Sequence, residues 1–334
     1  MHGTAFIPMR SPNKWFVTVS PDRAISRAAR RALRPRFKAL RHYLVLAAER
    51  AEDDVEHVHQ LRVAVRRAVA AVRLFQDLLP GRRRWLKKQC QLIRRAAGPA
   101  RDLDVLSAWL TDIAVPADFE PARAACLAHV AELRRAAQPE LCRRHAKLPD
   151  KKLRRRMRSL LRSLRRSPEA NGHAVNLEVG PTFAEDAPRR LEPIAIDFLA
   201  AAETDCSDLA HLHQLRIQGK RLRYALEALA GAFPSEPFQN LYASVRELQE
   251  RLGEINDRAT AQRYLEEWSG EDRPAQAPFV QTVKQQNADA LEAARQACAA
   301  WWTAERVEAI RLQFRQLAPA LEFRAPSPKL YESA

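Results

Sequence analysis

Apolar residues recur at three- and four-residue spacing along most of this 334-residue chain, the period of a helix with one buried face rather than the alternation of a strand. The pattern predicts an all-α protein. A first set of helices is expected over roughly 23–50, 55–79, 82–97, 101–114, 120–147 and 151–166. A second set follows over roughly 188–203, 209–231, 238–252, 256–269, 276–302 and 304–318. Between them Pro168, Gly172, Gly180, Pro181 and Pro188 interrupt the pattern, so 167–188 reads as a linker. Residues 1–19 read as an N-terminal arm, in which KWFVTV could form a short strand without a partner, and 323–334 as a disordered tail.

The two sets repeat one another. Asp54-Val-Glu-His57-Val-His59-Gln-Leu-Arg62 aligns with Asp208-Leu-Ala-His211-Leu-His213-Gln-Leu-Arg216 at an offset of 154, and Pro80 meets Pro234 at the same offset. One residue of slippage later, Gly98–Asp102 (GPARD) meets Gly253–Asp257 (GEIND). Agreement over this length predicts an internal duplication, with a first repeat over 20–166 and a second over 189–322. Two related helical bundles imply a pseudo-twofold arrangement. Asp54 and Asp208 stand where an N-cap belongs, Pro80 and Pro234 where the helices should stop, and Gly98 before Pro99 reads as a left-handed helix ending.

Within each repeat one helix divides into two faces. At 100° per residue, His59, Arg62, Arg66 and Arg73 fall within a sector of about 60°, as do His213, Arg216 and Lys220, with Arg223 and Tyr224 at its margins. The apolar residues Leu61, Val65, Val69, Val72 and Phe75 lie on another side, as do Leu215, Leu222, Leu226 and Leu229. Like charges stacked at this spacing disfavour a helix by about 0.2–0.5 kcal/mol per pair unless an anion neutralises them. A solvated face needs only to be polar, yet both copies begin with histidine.

Charge narrows the partners. Lys and Arg number 56 against 40 Asp and Glu, a formal charge of +16, which favours polyanions: nucleic acid, acidic membrane surfaces or inorganic polyphosphate. Arginine supplies most of that charge, and its paired donors match adjacent oxygens of a phosphate. Further rows run along Arg27, Arg31, Arg34, Lys38 and Arg41, where Pro35 should kink the helix, and along Arg84, Lys88 and Arg95. The segment from Arg143 to Arg166 holds twelve Lys or Arg and one acid, Asp150; it either extends the site or is simply exposed.

Other chemistries find less support. Five scattered cysteines without a C-x-x-C suggest neither a disulfide framework nor a thiolate zinc site and fit a reducing cytoplasm. No segment approaches the roughly 18 apolar residues of a membrane span, and the first twenty residues lack a secretory leader's apolar run. His57 and His59 point about 200° apart on a helix and cannot readily share a metal, so His57 and His211 are expected to pack or bond near the helix start. Asp102 and Asp104 could hold magnesium or act as acid and base. The second copy keeps only Asp257, after Asn256, which favours an orienting or helix-start role for Asp102, Asn256 and Asp257. No phosphate-cradling loop, H-E-x-x-H or nucleophile elbow occurs, so no cofactor and no catalysis are expected. Nucleic acid is the main rival ligand, but aromatic residues make up only 7% of the chain and single strands usually need stacking platforms.

The H-Q-h-R-h-x-h-R-R opening and its second copy, the G-x-x-R-D-x-D-V element at Gly98–Val105 and the G-x-x-N-D element at Gly253–Asp257 resemble the CHAD family, the conserved histidine α-helical domain. The resemblance spans about 20–322. It implies two helical bundles around a basic central channel and non-catalytic binding of inorganic polyphosphate, with cytoplasmic location and targeting to polyphosphate granules as a further expectation. The channel residues it implies are His59, Arg62, Arg66 and Arg67, then His213, Arg216, Lys220 and Arg221; the helical faces add Arg73, Arg223 and Tyr224 as expected ligands, and Arg101 is a further candidate. Many members carry a triphosphate-tunnel domain upstream, for which the first twenty residues are too short and lack an E-x-E-x-K signature. Glu227 stands where the first copy has Arg73, so the ligand should be held asymmetrically. A polyphosphate-cleaving activity is the least favoured alternative.

Overall fold

A computed structural model describes residues 15–165, 181–203, 208–269 and 276–319, and within these the chain is helical apart from one isolated bridge, Ala24 to Thr182. The first half comprises α1 (Ile25–Glu49), α2 (Glu56–Leu74), α3 (Arg83–Ala96), α4 (Gly98–Asp112), α5 (Glu120–Ala146) and α6 (Asp150–Ser163). The second comprises α7 (Phe183–Ala202), α8 (Leu209–Leu229), α9 (Ser235–Ser269), α10 (Ala277–Trp301) and α11 (Ala304–Leu317). The all-α reading therefore holds. In order and packing α1, α2, α5 and α6 correspond to α7, α8, α10 and α11, while α3 and α4 together correspond to the single helix α9.

Local chemistry sets the helix starts. The carboxylate of Asp208 accepts the Ala210 amide at 3.1 Å, and that of Asp54 accepts the Glu56 amide at 2.8 Å, so the repeated aspartates open the two related helices alike. Thr182 and Glu185 form a reciprocal capping box that starts α7 inside the expected linker, leaving Pro188 and Pro193 within the helix. Pro188 sits in the second turn, where the box has already fixed the helical path. The remainder of that linker, the tail from 323, residues 1–14 and Cys206 lie outside the described residues.

Two expectations at glycines are corrected. Gly98 does not adopt a left-handed conformation; it opens α4, with Pro99 in the first turn where its missing N–H costs nothing. Gly253 does not separate two helices but lies inside the continuous α9. The expected arm is also partly structural: Val17 is buried, its amide donates to the Glu227 carbonyl at 3.1 Å, and residues 15–19 form no strand. Gly231 makes room for this strap, since a Cβ there would come within 2.5 Å of the Val19 carbonyl oxygen and 2.6 Å of that of Val17.

Two apolar cores result. The larger joins α1, α2, α3, α6, α7, α8, α11 and the first part of α9, with Ala100 of α4, Leu141 of α5 and Cys298 of α10 at its edges. The smaller gathers Leu103, Leu106 and Leu110 of α4, Cys126 and Val130 of α5, Ala261, Leu265 and Trp268 of α9, and Phe279, Val280 and Val283 of α10. The α9 helix thus passes from one core into the other. Where α2 and α8 of the larger core meet α4 and α9, polar side chains from both halves are brought together.

Candidate polyanion-binding site

The Leu and Val positions of α2 and α8 enter the core, which turns the opposite faces toward this junction. Arg62 stands 3.9 Å from Asp102, and its repeat partner Arg216 stands 4.0 Å from Asp257. The same aspartate–arginine pairing therefore occurs in both halves, and Asn256 donates to the Asp257 carboxylate at 3.3 Å. Gly98 admits the Arg62 guanidinium, because a Cβ there would lie 3.2 Å from its nearer terminal nitrogen.

Arg62, Arg66, Arg216, Lys220 and Arg223 share one electrostatic neighbourhood. Burial, then Arg216, Arg66 and Arg223, push the Lys220 amine from 10.5 down to about 6, with Asp257 opposing. Burial also lowers Arg62 and Arg216, whose charges are repelled by Arg66 and partly held by Asp102 and Asp257. The Nε donors of Arg66, Arg216 and Arg223 are buried and meet no acceptor. A buried donor left unpaired costs about 1–3 kcal/mol, so this arrangement is unfavourable by itself and suits an anion with several oxygens.

The histidines stand at the outer ends of the rows. Burial lowers His59, which also feels Arg101, Glu56, Arg66 and Arg62; burial lowers His213 too, with Arg216 and Lys220 as its charged neighbours. His59 is half-buried and His213 exposed, so the groups that converge are the arginines and the lysine behind them. His57 bonds the Arg50 carbonyl through Nδ1 at 2.9 Å, and His211 Nδ1 lies 3.8 Å from Asp208, both near a helix start as expected. Among the described residues no three His, Cys, Asp or Glu side chains gather as metal ligands. Nor is any described helix long and apolar enough to cross a membrane.

Several expected ligands have other work. Arg67 donates to both oxygens of Glu227, at 2.7 and 2.9 Å, with its guanidinium over the rings of Trp15 and Tyr224. Glu227 is fully buried and is approached at 3.8 Å by the equally buried Arg36, which also donates to the carbonyls of Ala32 and Trp15. Burial lowers Arg36 to about 10. Tyr224 is itself buried beneath Arg67 and Arg223. Arg221 turns toward α7 and pairs with Asp197 at 3.0 Å. Arg67 and Arg221 are thus paired with carboxylates that the first copy lacks, and Tyr224 is covered, so these three stand apart from the convergent cations.

Around the periphery, Arg73 is exposed, with Arg221 and Arg94 nearby. Arg84, Lys88 and Arg95 are exposed on α3, whereas the α3 cations closest in effect to the two basic helices are Arg94 and Lys87, which the sequence reading passed over. Arg101 faces His59 and Asp102. Asp102 is raised by burial against the pull of Arg62 and Arg263, and Asp257 adds to the rise. Asp104, by contrast, is buried and held by Arg134 at 3.1 Å, with Arg101 as a more distant charge. Arg31, Arg34 and Lys38 line a different groove, between α1 and α6, and Arg27 lines an adjoining hollow between α1 and residues 18–23.

A search of the curated proteins finds no match to this chain. Among solved structures, it is similar to the crystal structure of the CHAD domain from the plant Ricinus communis, at 25% identity and a TM-score of 0.61, covering 92% of this chain and 98% of that one. It is also similar to PptA from Streptomyces chartreusis, at 18% identity and a TM-score of 0.48, covering 88% and 98% of the two chains. The family model of the CHAD domain matches residues 31–266, well over half the length, and the repeated basic helices lie inside that range: the chain belongs to the CHAD domain family.

Proposed function

We propose that this protein binds inorganic polyphosphate, without cleaving it, at the junction of α2, α4, α8 and α9. One observation carries the reading: Arg62, Arg66, Arg216, Lys220 and Arg223 are crowded together with two partly offsetting aspartates, and three of their Nε donors are buried without an acceptor. A chain of linked phosphates offers many oxygens in a narrow form, meets both halves at once and needs no base-recognition device. Arg62 and Arg216 bind, while Asp102 and Asp257 hold their guanidinium groups in place. In a cell this activity would recruit the protein to cytoplasmic polyphosphate granules.

Purified protein incubated with long polyphosphate should retain it with unchanged chain length, and affinity should fall steeply with salt, by about 0.7–0.9 log units per log unit of salt for each phosphate contact if nucleic-acid slopes carry over. Shortened chains would assign catalysis. RNA that displaces polyphosphate at equal phosphate concentration would favour nucleic acid instead.

Lys220 gives the reading a pH signature. Its amine is largely neutral near pH 7 in the empty site, since it titrates at about 6. A bound phosphate favours the ammonium form, so binding should take up a proton and affinity should fall as pH rises above about 6. The empty protein behaves oppositely: between about 6 and 10.5 the unfolded chain binds the extra proton at this lysine, so this residue's contribution makes folding more favourable as pH rises. Calorimetry in buffers of different ionisation heat should report proton uptake with wild-type protein and less of it with Lys220→Met. A binding heat independent of buffer would count against the site.

A further inference from the structure

The basic rows of α1 and α6 face each other across a groove of about 860 Å³, walled on a third side by residues 15–18 of the N-terminal strap. Arg31, Arg34 and Lys38 line one side, and Arg154 and Arg158 the other. The helices run antiparallel: Arg41 of α1 clamps Asp150 at the start of α6 with two 2.7 Å bonds, while Arg30, held down by burial, also feels Arg165, just past the end of α6, and Arg34. From Arg27 to Arg41 the row spans about 20 Å along the helix. No residue of α2, α4, α8 or α9 contributes to this lining, so the groove is separate from the junction site.

Two further observations set it apart from an ordinary solvated face. Each of α1 and α6 carries seven basic residues and one acidic residue. The corresponding pair in the second half has no basic excess: α7 has two basic and four acidic residues, and α11 three and two. The helix pair can therefore form without a cationic surface, so its architecture does not account for one. Moreover, the Arg30 Nε is buried and meets no acceptor. Of the cations along the two rows, Arg41 has a carboxylate partner in Asp150, which also feels Arg154, whereas Arg27, Arg31, Arg34, Lys38 and Arg158 form no ion pair among the described residues.

We infer that the α1–α6 groove is a second binding track for a linear phosphate polymer, independent of the junction site, so that one long chain can engage the protein at two places. The ligand's identity as polyphosphate rests on the proposed function above; the track itself rests on the groove. Facing guanidinium rows suit repeated tetrahedral anions. Stacked bases find no platform, because the Trp15 ring is covered by Arg36 and Arg67, Phe37 is buried, and Phe16 packs on Phe238 and Tyr242. Two tracks on one body raise the avidity for long chains well above that for short ones.

The test uses the full chain and short polyphosphate, with stoichiometry read by calorimetry and fold by circular dichroism. Wild-type protein should take up two short chains. The junction variant (Arg62, Arg66, Arg216 and Lys220 to alanine) should keep one, as should the groove variant (Arg31, Arg34, Arg154 and Arg158 to glutamine). The groove variant should also lose at least tenfold affinity for long chains. If the junction variant binds none and the groove variant binds as wild type, the second track is overturned while the proposed function stands. If the junction variant binds as wild type and the groove variant binds none, the groove survives and the junction reading fails. Displacement of polyphosphate from the junction variant by single-stranded RNA at equal phosphate concentration would overturn the ligand assignment.

Discussion

Alanine at Arg62, Arg66, Arg216 and Lys220 together is expected to weaken the junction's hold on polyphosphate by at least about 100-fold, each charge-assisted bond contributing about 1.5–3 kcal/mol and the four not adding fully. These side chains lie on the faces of α2 and α8 turned away from the core formed by Leu61, Val65, Leu215 and Leu222. Their removal also relieves the mutual repulsion of Arg62, Arg66 and Arg216 in the empty protein, whereas Lys220, deprotonated chiefly by burial, adds little to it. Helical content should consequently be kept, and thermal stability should hold or rise. Affinity at this site within about threefold of wild type would reject the junction, and a collapse of the circular dichroism signal would instead place these residues in the structural core.

Glu227→Gln should be the opposite kind of variant, one that leaves the junction cations in place and damages the fold. The carboxylate lies fully buried between Arg67 and Arg36, with Arg36 itself 0% exposed. Removing one partner of a buried ionic group leaves an uncompensated charge and costs about 3–5 kcal/mol. The denaturation midpoint should drop accordingly. Adding Arg67→Gln should bring back part of that loss, since the second change removes the charge the first left exposed to a dry interior; the coupling expected for contacting residues is about 0.5–3 kcal/mol. A variant as stable as the parent would show that Arg36 finds sufficient partners in the carbonyls of Ala32 and Trp15.

Much of this organisation was legible in the chain because it depends on local period and on repetition. The three-and-four spacing located the helices, and the doubled His–x–x–Arg row marked which faces to examine. Asp54 and Asp208 were readable as helix starts because capping is a short-range matter, settled within three residues. What escaped notice depends on partners distant in sequence. Nothing near Arg67 announces that Glu227 will claim it, and nothing near Arg221 announces Asp197. A single strongly amphipathic face reads alike whether a cation on it meets solvent, a ligand or a carboxylate from the other half. Arg36 is a different case, because a local signal marks it: helical spacing sets it opposite the exposed arginine row, on the buried stripe of Ala32, Leu33 and Leu40, where the strap from Trp15 to Val17 covers it. Gly253 misled because a helix interior tolerates glycine at a cost of only about 1 kcal/mol, which the contacts of α9 with two cores readily offset.

The Arg67–Glu227 contact also bears on how a duplicated protein ages. Position 227 in the second copy answers to position 73 in the first, where an arginine stands. A symmetric pair built from two first copies would set guanidinium against guanidinium where the present molecule keeps its innermost carboxylate. A pair of first copies is therefore ruled out as a design, whereas the second copy keeps both the carboxylate and, in Arg221, the counterpart of Arg67.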